Sequence, residues 1–192
     1  MGGASLQFDA PLRVGMRAKK KSKIIHVVRK DAHMGPLAII TLRQEISQDG
    51  RVCVVEGQLL IYRVEVNLNV PKPKPLEAPV DEKIKQTCIF STTDLLRYFA
   101  LTVNGHCIHY DRDYAINVEV YVGLIVHGSL LAENLLNFAQ SQLGQLKAFQ
   151  FCATALLFDF EKVAFCAKPD AKGLTLWACG PDECMCLNAS AT

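Results

Sequence analysis

No stretch of the 192-residue chain offers the ~18–20 uninterrupted apolar residues that a membrane-spanning helix needs. The best candidate, residues 120–139, is broken by His127, Glu133 and Asn134. A secretory leader is missing too, since Asp9 stands where its apolar core would lie. The expectation is an unsecreted protein with no membrane partner. Excess charge is also lacking: 21 Lys and Arg against 19 Asp and Glu leave a formal +2, too little for a dedicated nucleic-acid binder. A zinc pattern is incomplete, because Cys179, Cys184 and Cys186 have no obvious fourth ligand close in sequence, so no metal is expected. The eight cysteines read first as reduced core thiols.

What is present is a core-forming composition, 50% hydrophobic and 21% charged. The small net charge hides an asymmetry. Residues 1–70 carry 11 Lys/Arg and 6 Asp/Glu (+5), and residues 71–192 carry 10 and 13 (−3). The first part is the better place for an anionic ligand group. Within it, Arg17-Ala-Lys19-Lys20-Lys21-Ser-Lys23 reads as charges on the outer face of a strand. If the tract is functional, a phosphate group is its expected partner.

Four of the eight prolines fall in Val70-Pro-Lys-Pro-Lys-Pro-Leu-Glu-Ala-Pro79. Such a run favours extended polyproline backbone and predicts a linker over 70–82, between units at 1–69 and 83–192. In the first unit, residues 18–28, 37–46 and 51–62 alternate and are rich in Ile and Val, predicting three or four antiparallel strands. No covering helix is predicted there, so either a covering element is missing or the second unit covers the sheet. In the second unit, residues 85–90 predict a strand. Ser91 and Asp94 then have the spacing of a capping box, and Asp111 can cap another short helix. Gly128 opens a long helix over 129–143, with Leu130, Leu131, Leu135, Phe138, Ala139 and Leu143 as its apolar stripe. Residues 147–169 and 173–191 again predict strands. The expected class is α+β, with antiparallel sheet wrapped around the long helix.

Between the helices, Asn104-Gly-His-Cys-Ile-His-Tyr-Asp-Arg-Asp113 gathers two imidazoles, an amide and carboxylates. Farther on, Leu124-Ile-Val-His127-Gly128 leads into the long helix. A helix N-terminus presents free N–H groups and can hold an oxyanion. A titratable histidine beside it is the minimum for proton transfer next to a carbonyl.

The run Ala100-Leu-Thr-Val-Asn104-Gly-His-Cys-Ile-His109-Tyr-Asp-Arg-Asp-Tyr-Ala115, with Gly123-Leu-Ile-Val-His127-Gly128, resembles the MaoC-like hot-dog hydratases and dehydratases. It is most similar to their branch holding the mitochondrial hydroxyacyl-thioester dehydratases type 2 and the bacterial mesaconyl-C4-CoA hydratases. Pro11-Leu-Arg-Val-Gly15, Gly35-Pro-Leu37 and Arg43-Gln-Glu-Ile-Ser47 match that branch as well. The resemblance implies a double hot dog whose first unit is N-terminally incomplete. It also implies reversible hydration of a 2-enoyl thioester, on coenzyme A or a carrier protein, with no cofactor. By the same analogy Asn104 orients the reacting water, His109 is the acid/base, and the Gly128 N–H holds the oxyanion. Cys107, Tyr110 and His127 are expected to border the substrate, His106 to be structural, and Asp111 to be a cap. A homodimer or pseudo-dimer and an intracellular place, cytoplasmic or mitochondrial, follow from the same likeness.

The chain departs from its relatives at Cys107, where they commonly carry Arg, and at Val120 and Val122, where Gly and Pro are common. The strand over 150–155 lacks their basic residues. A non-catalytic thioester-binding or partner-assembling protein is therefore a second expectation, and thioester hydrolysis a third.

Overall fold

The computed structural model describes residues 2–32, 35–63 and 74–192. Four strands come first: β1 (Gly3–Phe8), β2 (Lys19–Ala32), β3 (Gly35–Gln48) and β4 (Arg51–Arg63). After β5 (Ile84–Ile89) come helices α1 (Thr92–Thr102), α2 (Arg112–Asn117) and α3 (Gly128–Leu143), with a 3₁₀ turn at Cys107–His109 between the first two. Strands β6 (Ala148–Ala153), β7 (Lys162–Pro169), β8 (Leu174–Cys179) and β9 (Met185–Ala191) complete the order.

The nine strands of the described residues lie in one antiparallel sheet, in the order β2-β3-β4-β1-β6-β9-β8-β7-β5. β1, which no sequence pattern singled out, is the seam. It pairs with β4 on one side, Leu6 opposite Glu56, and with β6 on the other, Leu6 opposite Phe149. Gly3 makes the second pairing possible, because a Cβ there would sit 2.3 Å from the Phe151 carbonyl oxygen.

α3 packs on β6, β7, β8 and β9. Its buried residues are Leu131, Ala132, Leu135, Phe138 and Ala139. Leu130, in the first turn, is only partly buried, and Leu143, at the last position before Gly144, is exposed. The core formed around α3 extends on the first half only to Leu6 and Phe8 of β1. Of the two alternatives, covering by the second unit is not what the described residues show, which leaves a covering element missing from them. Ile24, Ile25 and Val27 of β2, with Leu59, Ile61 and Tyr62 of β4, remain 41–61% exposed. A helix is ~10–12 Å across and strands are ~4.8 Å apart, so one helix covers a fraction of nine strands.

Of the stretch expected as a linker, residues 70–73 lie outside the described ones. Residues 74–82 hold no helix and only the single bridge of Glu77 to Cys184. That bridge, with Ala78 packed against Cys166 and Trp177, straps them to the back of the sheet. The eight cysteines are free. Burial pushes the Cys166 thiol up to about 11 and Cys186 to about 12, which leaves both protonated and inert at neutral pH. Among the described residues, no helix is long and apolar enough to cross a membrane.

Candidate active site

The polar loop begins where α1 stops. Ser91 caps that helix, its side chain accepting from the Asp94 N–H while Asp94 accepts from the Ser91 N–H. At the other end Val103 takes the left-handed conformation, φ 52°, and breaks the helix just before Asn104. Asn104 Oδ1 accepts from the His106 N–H at 3.3 Å, which closes a local turn. The 3₁₀ turn at Cys107–His109 follows. Asp111 then caps α2, accepting from the Tyr114 N–H at 2.9 Å, as its place before that helix predicted.

The loop rests on the segment 124–126, which is hydrogen-bonded along both edges. Ile125 N–H donates to the Ile108 carbonyl (3.0 Å) and Val126 N–H to that of Leu157 (2.8 Å). Asp159 pins the same segment: its Oδ1 accepts from the Leu124 N–H (3.2 Å) and its Oδ2 pairs with Arg112 of α2. Asp159 is buried, whereas Arg112 is partly exposed. Leu124, Ile125 and Val126 are all buried, so this is a rigid shelf beneath the loop.

His109 lies on that shelf. Its Nδ1 is 2.7 Å from the Ile125 carbonyl oxygen. A carbonyl only accepts, so Nδ1 carries the proton and Nε2 keeps the lone pair in the neutral ring. Burial pushes the His109 pKa down, and the Ile125 bond opposes that. One ring face stacks on His127, centroids 3.7 Å apart and planes 16° from parallel. His106 stands edge-on at 5.8 Å. His127 is the N-cap of α3 and caps nothing with its side chain. It is 1% exposed, neither ring nitrogen has a partner, and Tyr98 of α1 meets it edge-on at 5.0 Å. Burial, then His109, lowers the His127 pKa to about 4. Gly128 follows as the first residue of α3, where backbone N–H groups have no intrahelical acceptor.

Cys107 and Tyr110 face each other, sulfur to hydroxyl at 3.3 Å, and Tyr110 leans on Phe99 with centroids 4.4 Å apart. His109, His127 and Gly128 thus meet at the N-terminus of α3, whereas Asn104 is bonded within its own turn and Cys107 and Tyr110 are tied to each other and to Phe99. A separate groove of about 690 Å³ crosses the middle of the sheet past Ser5, Arg43 and Gln150, and is lined by none of these residues. The basic tract places Lys19, Lys21 and Lys23 on the outermost strand, all exposed, with Lys21 opposite Glu45. Sequence reasoning missed Tyr98 and Asp159. Asp159 meets Arg112 across 47 positions, and no local pattern signals such a pair.

A family model described as hydroxyacyl-thioester dehydratase type 2 matches residues 1–159. The chain belongs to that family. It is accordingly an enzyme of the hydratase and dehydratase class, a hydro-lyase. It is also 38% identical, over 190 residues, to a mesaconyl-C(4)-CoA hydratase of Chloroflexus aurantiacus, across 98% of this chain and 68% of that protein. Among solved structures it superposes on HtdX of Mycobacterium tuberculosis with TM-score 0.79 at 14% identity, covering 99% of this chain and 74% of that one. A second Mycobacterium tuberculosis protein, described as having a double hotdog fold, gives TM-score 0.66 at 13% identity over 98% of this chain and 72% of its own. The fold of this family member is a double hot dog, as the resemblance implied.

Proposed function

We propose that this hydro-lyase adds water reversibly to a 2-enoyl thioester carried on coenzyme A or a carrier protein. The observation that carries the reading is the fixed tautomer of His109, whose Nε2 is left as a base beside the N-terminus of α3. In the hydration direction the Asn104 amide orients a water molecule. Nε2 takes one of its protons as the oxygen bonds to C3. The electron pair moves onto the thioester oxygen, where the Gly128 N–H stabilises the enolate, and the imidazolium returns the proton to C2. Cys107 and Tyr110 flank the acyl group.

The test is enoyl absorbance with crotonyl-CoA and mesaconyl-C4-CoA. His109→Ala is expected to remove about 10²–10⁴-fold of the rate in a folded protein, Asn104→Ala to impair it strongly, and His106→Ala to be mild. Gly128→Pro deletes the oxyanion donor at a helix position that suits proline. His127, at φ −60° and ψ 128°, already has the backbone a residue before proline requires. A loss of about 10²–10³-fold is expected there. Full activity in His109→Ala would end the reading.

The exposed apolar side chains of β2 and β4 support a second reading, in which this sheet pairs with a second copy of the chain. Sedimentation velocity across a concentration series is expected to show self-association that Ile24→Lys with Val27→Lys abolishes.

A further inference from the structure

His127 has no task in the proposed chemistry, yet it is the best buried polar side chain of the site, and its two ring nitrogens have no partner. An unpaired buried polar group costs roughly 1–3 kcal/mol. At 1% exposure the ring is closed to solvent, so any contribution passes through what it touches. It touches His109 on one face and Tyr98 at an edge. A charged imidazole needs acceptors for two N–H groups, and here there are none, so the ring stays neutral while its neighbour cycles.

We propose that His127 is a positioning residue for His109, a flat buried platform that fixes the plane of the reacting ring and keeps water off its back face. The inference rests on His109 being the base. Two restraints then define that base. The Ile125 carbonyl fixes which nitrogen is protonated, and the stack fixes the plane in which Nε2 points. Either alone leaves a rotation free. Dehydrating one face also disfavours the imidazolium in the resting enzyme, which is the direction in which the His109 pKa is displaced. Once His109 has taken the proton, the neutral ring beneath offers its π-face to the cation. The groups around His109 are His127 from the N-cap of α3, His106 from its own turn and the Ile125 carbonyl from the shelf, with Tyr98 at the edge of His127 and Glu133 beside Tyr98. A positive charge on His106 would press the His109 pKa the same way as burial.

The test compares the pH profile of kcat/KM, and the NMR titration of the His109 Hε1 proton, in wild type, His127→Ala and His127→Phe. Rate falls as pH drops through the His109 pKa, because the base is then protonated. His127→Ala admits water to the ring, so the acid limb and the NMR midpoint are expected to move to higher pH, with kcat down about 10²-fold. His127→Phe restores a flat face without nitrogens and is expected to return both toward wild type. An unmoved limb in folded His127→Ala, or a His127→Phe as impaired as His127→Ala, overturns the proposal. Wild type alone gives a further check should a variant not fold: a His127 that titrates in the ordinary histidine range also overturns it. Absence of hydration in wild type would end the hydro-lyase reading instead, and the NMR midpoints would still decide the platform.

Discussion

Two valines flanking the site hold a backbone conformation that valine resists. Val103 and Val120 have φ of 52° and 56°. A β-branched residue in the left-handed region is a genuine outlier, and the conformation costs an L-residue roughly 1–2 kcal/mol. Val103 has a use, because its turn delivers Asn104 to the loop while its N–H still donates to the Phe99 carbonyl. At Val120, where the family resemblance implied glycine, the backbone is already shaped for one. Val120→Gly is expected to stabilise the chain by about 0.5–1 kcal/mol, the relief of strain less the added entropy of the unfolded glycine. Denaturant midpoints of the two proteins check it. A destabilised variant would mean that the exposed Val120 side chain makes a contact worth more than the strain.

The shelf at 124–126 is the element on which the site depends, and a single carboxylate anchors it. Asp159 bonds the Leu124 N–H and pairs with Arg112, so it joins the shelf to α2, the helix that ends the polar loop. Asp159→Ala leaves a buried N–H unpaired, and Arg112, being partly exposed, recovers hydration. A cost of about 2–3 kcal/mol is expected, toward the low end for breaking a buried ion pair. The Ile125 carbonyl that holds His109 lies one residue from the lost bond. The variant is therefore expected to lose kcat by a larger factor than it raises KM, which steady-state kinetics beside a thermal melt would separate. Equal changes in both would place Asp159 in substrate binding. The helices flanking the shelf were readable from the sequence because their signals are local. Ser91 with Asp94, Asp111 and Gly128 each act within one turn. The shelf was not readable, since a short buried run without periodicity gives no sign of which partners lie on its two edges.

At the scale of the molecule, one six-residue strand joins the two halves. β1 contributes little apolar bulk, but its backbone pairs on both sides and Gly3 lets β6 approach. Gly3→Ala forces a methyl against the Phe151 carbonyl and must push β1 from β6. A drop in Tm of about 2–4 °C per kcal/mol lost is expected for a chain of this size, with weakened hydrogen-exchange protection on both sides of the seam. An unchanged Tm would show that the two halves hold together without close β1–β6 contact. The strands other than β1, the long helix and the polar loop were determined by the sequence itself, because alternation, apolar stripes, caps and motif residues are encoded within a few positions. Only the tertiary structure decided that β1 closes both halves into one sheet, that α3 leaves β2 to β4 uncovered, and that His127 lies flat on His109. Those outcomes depend on registers and approaches between residues many positions apart, and local patterns carry no measure of such distances.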